Sequence, residues 1–179
     1  MARSMSEILD LGCGAAKTPG AVGIDIRPGA GVDIVHDLNK FPWPLDHNRF
    51  DTVICSHVLE HLADLPAVMA EIHRICKPGA RVKIVTPHFS SLNSWEDPTH
   101  LHHFARGSFS FFDTQNRHCC TTVRLKTLQV EVGFGGGLWD FIGRVQYDLF
   151  PNLWEKHFAF VFRGRNLTVE LEVVKDGPP

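Results

Sequence analysis

The chain has 179 residues, of which 44% are hydrophobic, and its formal net charge is −2. This size and composition suit a single domain over residues 1–179, and the absence of a net positive charge disfavours nucleic acid as the main partner. Its five cysteines contain no Cys-x-x-Cys pair, and no apolar run has membrane-spanning length, so we expect a protein of the reducing cytoplasm without a membrane segment.

The first half of the chain has the pattern of an α/β fold with a parallel sheet. Short apolar runs predict strands at 7–11, 22–26, 32–35, 50–56 and 80–86. We expect helical segments to alternate with them. Before the last of these strands, Pro66 suits a first helical turn, Val68 and Ile72 lie on one helical face, and residues 77–79 end the helix.

The second half of the chain departs from this pattern. Residues 87–120 are rich in aromatic residues, serine and histidine, which indicates an inserted cover over a site. Two later segments, 123–132 and 167–174, have the alternation of half-exposed strands. We expect Trp154 and the nearby phenylalanines to be core, with a pocket wall or a homodimer surface as the alternatives; the phenylalanines are Phe158, Phe160 and Phe162.

A glycine motif follows the first strand. The run Ile8–Gly14 ends in Gly-Cys-Gly, which lets the backbone turn sharply and lets a ligand approach it. Asp25 ends the second strand, where a carboxylate can bind the hydroxyl groups of a ribose. Because Lys17 stands where a dinucleotide motif has its third glycine, we expect a ligand with a ribose but no pyrophosphate. An ordinary tight turn is the alternative.

Four blocks together resemble class I S-adenosylmethionine-dependent methyltransferases, especially the branch called the methyltransferase type 11 domain. The blocks are residues 8–14, 23–25, 50–62 and 74–80. The resemblance implies a Rossmann-like sheet, mostly parallel with an antiparallel C-terminal strand pair, and S-adenosylmethionine as the cofactor. It places the cofactor half at residues 1–86, the acceptor-side insertion at about 87–120 and the C-terminal strands and aromatic segment at 121–179. The chain departs from the family at Ala16, where a third glycine is usual, and at Ala15–Ala21, which is short for the first helix.

The same resemblance implies the residues that bind the cofactor. Asp25 is expected at the ribose, and Asp37 at the adenine amino group, although an Asx turn or a helix cap would also explain Asp37. Ser56 is expected near the adenosine or methionine portion. The full predicted set is Asp10, Gly12, Cys13, Gly14, Asp25, Ile26, Asp37, Leu38 and Ser56.

Histidines are the candidates for the catalytic base, because their ordinary pKa suits proton transfer near neutral pH. His57 follows the fourth strand, His88 follows the fifth, and His100 belongs to an Asp-Pro-Thr-His segment in the insertion. The alternative for His57 is that it caps or packs the following helix, and we expect His61 to be structural. No metal site is predicted, because the spacing of the histidines at 100–103 is not typical of zinc.

The expected reaction is methyl transfer to a small acceptor, with oxygen favoured over nitrogen because of the histidines. Aromatic residues of the insertion favour an acceptor with an apolar or ring face; they are Trp95, Phe104, Phe109, Phe111 and Phe112. Two alternatives remain. The chain is a cofactor-binding, non-catalytic subunit that activates a partner, or it methylates a nitrogen or a macromolecule.

Overall fold

The computed structural model describes residues 7–116 and 121–175. Within them one seven-stranded sheet is formed by β1 (Ile8–Leu11), β2 (Val22–Asp25), β3 (Ile34–Val35), β4 (Phe50–Ser56), β5 (Cys76–Pro87), β6 (Leu125–Val132) and β7 (Asn166–Val173). Its order is β3-β2-β1-β4-β5-β7-β6, and only β7 runs antiparallel to its neighbours. This arrangement confirms the predicted α/β fold and its antiparallel C-terminal pair.

The core lies along the central strands. Leu9 of β1 pairs with Val22 of β2 on one side and with Val53 of β4 on the other. Leu9 and Val53 are fully buried, and so is Val82 of β5, which is the pattern of parallel strands covered on both faces. The carboxyl ends of these strands therefore meet at one edge of the sheet, where ligands bind in open α/β folds.

The predicted alternation of strands and helices is wrong for the first three connections. Residues 12–21, 26–33 and 36–49 contain turns and no helix. These segments are short, and glycines and prolines interrupt them, whereas a stable helical nucleus needs several consecutive residues in one conformation. The strands at the β3 end of the sheet are therefore joined by loops alone.

Helix α1 (Leu65–Ile75) joins β4 to β5 as predicted, but it ends before residues 77–79, which already belong to β5. The Asp64 carboxylate caps it by accepting a hydrogen bond from Ala67 N at 3.0 Å. Its apolar face, which includes Ile72 and Ile75, is fully buried. Cys76 directly after the helix is also buried, and burial raises the pKa of its thiol to about 12, so it is a packed core thiol.

The segment after β5 contains little regular structure. The part of it that the structure describes has one short helix, α2 (Asn93–Glu96), and a 3-10 helix at Ser108–Phe112. Trp95 and Phe111 are exposed. Phe104, Phe109 and Phe112 are buried in the core, so the prediction that these three side chains face an acceptor is wrong. The adjacent cysteines at 119 and 120 lie outside the described residues.

Two helices, α3 (Leu138–Leu149) and α4 (Pro151–His157), lie between β6 and β7. Trp154 is buried as predicted, but Phe158 and Phe160 are exposed, so the expectation that all these aromatic residues are core is wrong. A stripe on α3 is also exposed; it consists of Leu138, Phe141, Val145 and Leu149. No helix in the described part of the chain is both long and apolar enough to cross a membrane.

Candidate active site

A cavity of about 660 Å³ opens at the carboxyl ends of β1 and β2. Two turns and two loops form most of its walls: the glycine turn after β1, the loop after β2, the loop after β3, and the 3-10 turn at Leu59–His61. It is lined by Gly12, Gly14, Ala15, Asp25, Ile26, Arg27, Pro28, Gly29, Val32, His36, Asp37, Leu38, Asn39, His57, Val58, His61, Leu62 and Thr99. We call it the cofactor cavity.

The glycine turn needs its glycines for two different reasons. Gly12 and Gly14 both have positive φ angles, of 63° and 51°, which side-chain-bearing residues rarely adopt. A Cβ on Gly12 lies only 2.6 Å from Val58 Cγ2, whereas a Cβ on Gly14 meets nothing within 4 Å. Gly12 therefore allows close packing of the turn against Val58, and Gly14 leaves open space for a ligand.

Asp25 joins the glycine turn to the next loop. Its Oδ2 accepts a hydrogen bond from Gly14 N at 2.9 Å, and its Oδ1 accepts one from Arg27 N at 2.9 Å. Each carboxylate oxygen keeps a further lone pair, so both can also accept a ribose hydroxyl. Ile26 beside it is 61% exposed and gives the cavity wall an apolar surface. These residues fit S-adenosylmethionine, the cofactor that the sequence predicts.

Three predicted cofactor residues do not line this cavity. Asp10 is buried, and its Oδ2 accepts a hydrogen bond from Thr18 N at 2.7 Å. It therefore ties the end of β1 to the segment after the glycine turn. Cys13 is buried too, and burial raises the pKa of its thiol. Ser56 is exposed at the end of β4 but lies outside the cavity wall. The other six predicted residues line the cavity.

Asp37 serves as a turn residue and also faces the cavity. Its Oδ1 accepts a hydrogen bond from Asn39 N at 3.0 Å, which is an Asx turn. Asn39 Oδ1 accepts one from Ala63 N at 2.8 Å and so ties this loop to the segment before α1. Sequence reasoning missed Asn39, although a polar residue two positions after Asp37 was a usable signal.

A second cavity, of about 610 Å³, adjoins the first. Seven of its nine lining residues are polar or charged; the lining consists of His57, Glu60, His61, Pro87, Asn93, Glu96, Asp97, Pro98 and His100. His57 and His61 line both cavities. We call the second one the acceptor cavity.

His57 stands at the junction of the two cavities. Its backbone N donates a hydrogen bond to Val85 O at 2.8 Å, and its φ of 52° is unusual for a residue with a side chain. Its side chain is 45% exposed, and Nδ1 lies 3.3 Å from Glu60 Oε1. The interaction with Glu60 raises the pKa of His57, and partial burial opposes this shift.

Glu60 beside His57 is a buried carboxylate, with a side chain that is 1% exposed. Its Oε2 accepts a hydrogen bond from Thr86 Oγ1 at 3.2 Å. Its backbone oxygen accepts hydrogen bonds from Leu101 N at 2.7 Å and from His102 N at 3.3 Å. Glu60 thus attaches the inserted segment to the turn that follows β4.

His61 and His100 come together through this attachment. Their ring centroids are 4.7 Å apart. His61 Nδ1 lies 2.9 Å from Thr99 Oγ1, and His100 Nδ1 lies 3.2 Å from Ser94 O. The predicted catalytic residue His100 therefore lies on the wall of the acceptor cavity. The ring beside it belongs to His61, which was expected to be only structural.

His88, the third predicted catalytic residue, is fully buried. Its Nδ1 is 2.8 Å from Ser90 Oγ, and its Nε2 is 3.2 Å from Glu155 Oε1. The ring also packs against Trp154. It lines neither cavity, and a ring enclosed in this way cannot reach an acceptor, so the prediction of a catalytic His88 is not supported by its placement.

Comparison with known proteins gives matches for both sequence and fold. The family model described as "Methyltransferase domain" matches residues 2–134. A 2-phytyl-1,4-naphtoquinone methyltransferase of Synechococcus elongatus is 31% identical over 86 residues, which is 48% of this chain and 33% of that protein. The chain matches only a fifth to a third of the length of such curated relatives.

Solved structures extend the comparison to nearly the whole fold. An S-adenosylmethionine-dependent methyltransferase from Archaeoglobus fulgidus has a TM-score of 0.64 at 18% identity and covers 93% of this chain and 86% of its own. A complex of the Trm112 methyltransferase activator of Haloferax volcanii with a methyltransferase gives a TM-score of 0.58 at 15% identity, with 95% and 83% covered. At such identities the likeness establishes the fold.

Proposed function

The chain belongs to the methyltransferase domain family, and from this premise we propose that it transfers the methyl group of S-adenosylmethionine to an oxygen of a small hydroxylated acceptor. The observation that carries the proposal is the position of His57, which lines both the cofactor cavity and the acceptor cavity. Family membership confirms the methyltransferase class and the cofactor that the sequence predicts.

The residues of the cofactor cavity have a binding role. Bound S-adenosylmethionine supplies a methyl group on a positively charged sulfur, which keeps the electron pair of the broken bond when the acceptor oxygen takes the methyl. Asp25 orients the ribose, and Gly14 leaves room for the ligand against the backbone. Such positioning is a large part of the catalysis of methyl transfer.

The residues at the junction have the chemical role. In the proposed reaction, His57 takes the proton of the acceptor hydroxyl on Nε2. Its Nδ1 lies 3.3 Å from Glu60 Oε1, which fixes the ring orientation and stabilises the imidazolium. His57 is the better candidate for the base, since His100 is turned toward Ser94 and its side chain is only 7% exposed.

The lining of the acceptor cavity supports a hydroxylated acceptor. Carboxylates, imidazoles and the Asn93 amide surround it, and the aromatic residues expected to favour a ring face are absent from its wall. Three of those aromatic residues are in the core instead. The curated relatives are named for a naphthoquinone, which agrees with a small molecule as the acceptor but not with this polar lining.

The cofactor part of the proposal is tested by calorimetric titration of the full chain with S-adenosylmethionine and with S-adenosylhomocysteine. We expect both to bind to the intact protein and Asp25→Ala to weaken binding at least tenfold, because it removes both ribose acceptors. Asp46→Ala, an exposed carboxylate outside the cavity, is the matched control and should leave binding unchanged. Equal affinities in the two variants would contradict the assignment.

The acceptor part is tested with S-adenosylmethionine carrying a labelled methyl group. The intact protein is incubated with separate panels of polyhydroxylated small molecules, phenols, amines and total RNA. We expect label in the hydroxylated compounds, as an ether that NMR of the product identifies. Label found only in amines or in RNA would overturn the proposal.

A partner-dependent enzyme is the second candidate, and the exposed apolar stripe on α3 favours it. Exposed apolar surfaces of this kind mark interaction sites. The complex with the Trm112 activator is one structure to which the fold is similar. On this alternative the chain alone binds S-adenosylmethionine but transfers no methyl group to any compound of the acceptor panels. Light scattering measures the mass in solution and shows whether the partner is a second copy of the chain.

A further inference from the structure

The acceptor cavity holds a cluster of side chains that can bind a metal ion. The proposed reaction gives a role to only one of them, Glu60, which orients His57. Glu60, His61 and His100 each offer one ligand atom, and these atoms all lie within 4.8 Å of one another. Two imidazoles and one carboxylate form a donor set that divalent transition metals recurrently use in proteins. The cluster was invisible to sequence spacing, because His100 lies some forty positions from the other two.

The Glu60 carboxylate gives independent evidence for a cation-binding site. Its side chain is 1% exposed, and its buried Oε1 makes no hydrogen bond of good geometry, the contact with His57 Nδ1 at 3.3 Å being an ion-pair contact that leaves a lone pair of this oxygen free. Among the described residues, no lysine or arginine forms an ion pair with it. A buried carboxylate with one unsatisfied oxygen is costly, and a bound cation removes that cost.

The two imidazoles are held in the manner of metal ligands. His100 Nδ1 lies 3.2 Å from the carbonyl oxygen of Ser94, which can only accept a hydrogen bond. His61 Nδ1 lies 2.9 Å from Thr99 Oγ1, which in turn donates to Asp97 Oδ1 at 2.6 Å. Both rings are therefore protonated on Nδ1, and Nε2 of each carries the free lone pair. Metal-ligating histidines almost always have such an outer partner.

From these contacts we propose that Glu60, His61 and His100 bind one divalent transition metal ion on the wall of the acceptor cavity. The two nitrogen ligands favour Zn²⁺ or Mn²⁺ over Mg²⁺, which prefers oxygen ligands. A carboxylate oxygen has two lone pairs, so Glu60 can face the ion and His57 together. Three protein ligands leave coordination positions open to the cavity.

The consequence for catalysis rests on the proposed function. An ion held by Glu60, His61 and His100 would lower the pKa of an acceptor hydroxyl beside His57, and His57 would then take the proton more readily. Such an ion would favour acceptors with two neighbouring oxygen atoms, because both could bind it. The acceptor class deduced from the site is therefore a small molecule with vicinal oxygens.

The test measures metal binding by the full chain after removal of metals with a chelator. Zn²⁺, Mn²⁺ and Mg²⁺ are titrated separately by calorimetry, and the melting temperature is followed with each ion. We expect one Zn²⁺ or Mn²⁺ per chain and a rise in melting temperature, with much weaker binding of Mg²⁺. Glu60→Gln and His100→Ala should each weaken Zn²⁺ binding at least tenfold.

Two controls make the result unambiguous. His157→Ala removes an exposed histidine outside the cluster and should leave Zn²⁺ binding unchanged. S-adenosylmethionine is titrated into every metal-free variant, and unchanged affinity for it shows that the variant is folded. Intact protein that binds S-adenosylmethionine but not Zn²⁺ or Mn²⁺ overturns the metal site alone, and so does undiminished metal binding by Glu60→Gln and His100→Ala. Failure to bind S-adenosylmethionine with intact metal binding overturns the proposed function alone.

Discussion

The two adjoining cavities are built by different means. The cofactor cavity depends on backbone conformation: the left-handed turn at Gly12 and Gly14, and backbone N–H groups that fix the Asp25 carboxylate. The acceptor cavity depends on side chains, among them Glu60 and His100, which come from two segments far apart in the chain. Only the second arrangement can be changed one side chain at a time without altering the glycine turn.

This difference explains how one scaffold can keep a cofactor and vary its acceptor. A backbone-built site tolerates few residues at its turns, because the conformation itself excludes most of them. A site built from side chains on an attached loop can change its chemistry by substitution.

Gly12→Ala should break the cofactor cavity. The new Cβ lies 2.6 Å from Val58 Cγ2, and the residue must also keep a φ of 63°. Overpacking and left-handed strain together should cost about 2–5 kcal/mol in the free energy of unfolding, measured with urea. S-adenosylmethionine binding should also be lost.

Gly14→Ala is the matched control for the steric term. Its φ of 51° imposes similar strain, but its Cβ meets no atom within 4 Å. We expect a loss of about 1–2 kcal/mol in stability and a weaker affinity for S-adenosylmethionine. If the two variants proved equally stable, close packing against Val58 would not be the reason for a glycine at position 12.

His57→Asn should separate the chemistry from cofactor binding. Asparagine adopts positive φ angles more readily than most residues, so the turn is preserved while the base is removed. We expect the methyl-transfer rate to fall on the order of a hundredfold or more, with the dissociation constant of S-adenosylmethionine nearly unchanged. A fall in rate of less than about threefold would assign His57 a structural role.

Glu71→Gln should weaken the attachment to α1 of the loop after β3, which forms part of the wall of the cofactor cavity. Glu71 Oε2 accepts hydrogen bonds from Trp43 N and from Arg74, both at 2.7 Å, and so fastens the loop after β3 to α1. We expect a loss of about 1–2 kcal/mol in the free energy of unfolding at pH 7. The dissociation constant of S-adenosylmethionine should rise only slightly.

The pH dependence of the same variant follows from the Glu71 carboxyl. Burial raises its pKa, but the hydrogen bonds from Arg74 and Trp43 outweigh burial and leave the pKa below its ordinary value. The stabilisation is therefore complete above the unfolded-state pKa of about 4.3 and is lost as the pH falls through the folded-state pKa. Urea unfolding of both proteins should give a difference that shrinks between pH 5 and pH 3; a constant difference would contradict this explanation.

Thr86→Val has the smallest expected effect and touches only the acceptor side. It replaces a buried hydroxyl that donates to Glu60 Oε2 at 3.2 Å with a methyl group of similar size. We expect a loss of about 1 kcal/mol in stability. The dissociation constant of S-adenosylmethionine should not change, and a change would show that the two cavities are coupled through Glu60.

The sequence predicts the sheet because apolar runs report burial directly. The strands at 7–11, 50–56 and 167–174 agree with the structure within one or two residues. Helices in the first three connections were predicted from the general alternation of α/β folds and not from the residues themselves. The short, glycine- and proline-containing segments at those places favour turns.

The site was predictable to the extent that it is local in sequence. Gly12, Gly14 and Asp25 belong to short motifs with a conformational reason, and all three line the cofactor cavity. His88 follows a strand just as His57 does, but its burial under Trp154 depends on α4, far along the chain. The contact between His61 and His100 depends on hydrogen bonds from Leu101 and His102 to the Glu60 backbone oxygen. Such long-range bonds cannot be predicted from the spacing of residues in the sequence.

The positive φ of His57 has a consequence for directed evolution of this protein. A side-chain-bearing residue in the left-handed region costs on the order of 1–3 kcal/mol, and glycine at the same place would recover part of that cost. A library screened for heat resistance alone should therefore enrich His57→Gly and yield durable but inactive clones. Selection that couples survival to methyl transfer should keep the histidine and gain its stability elsewhere.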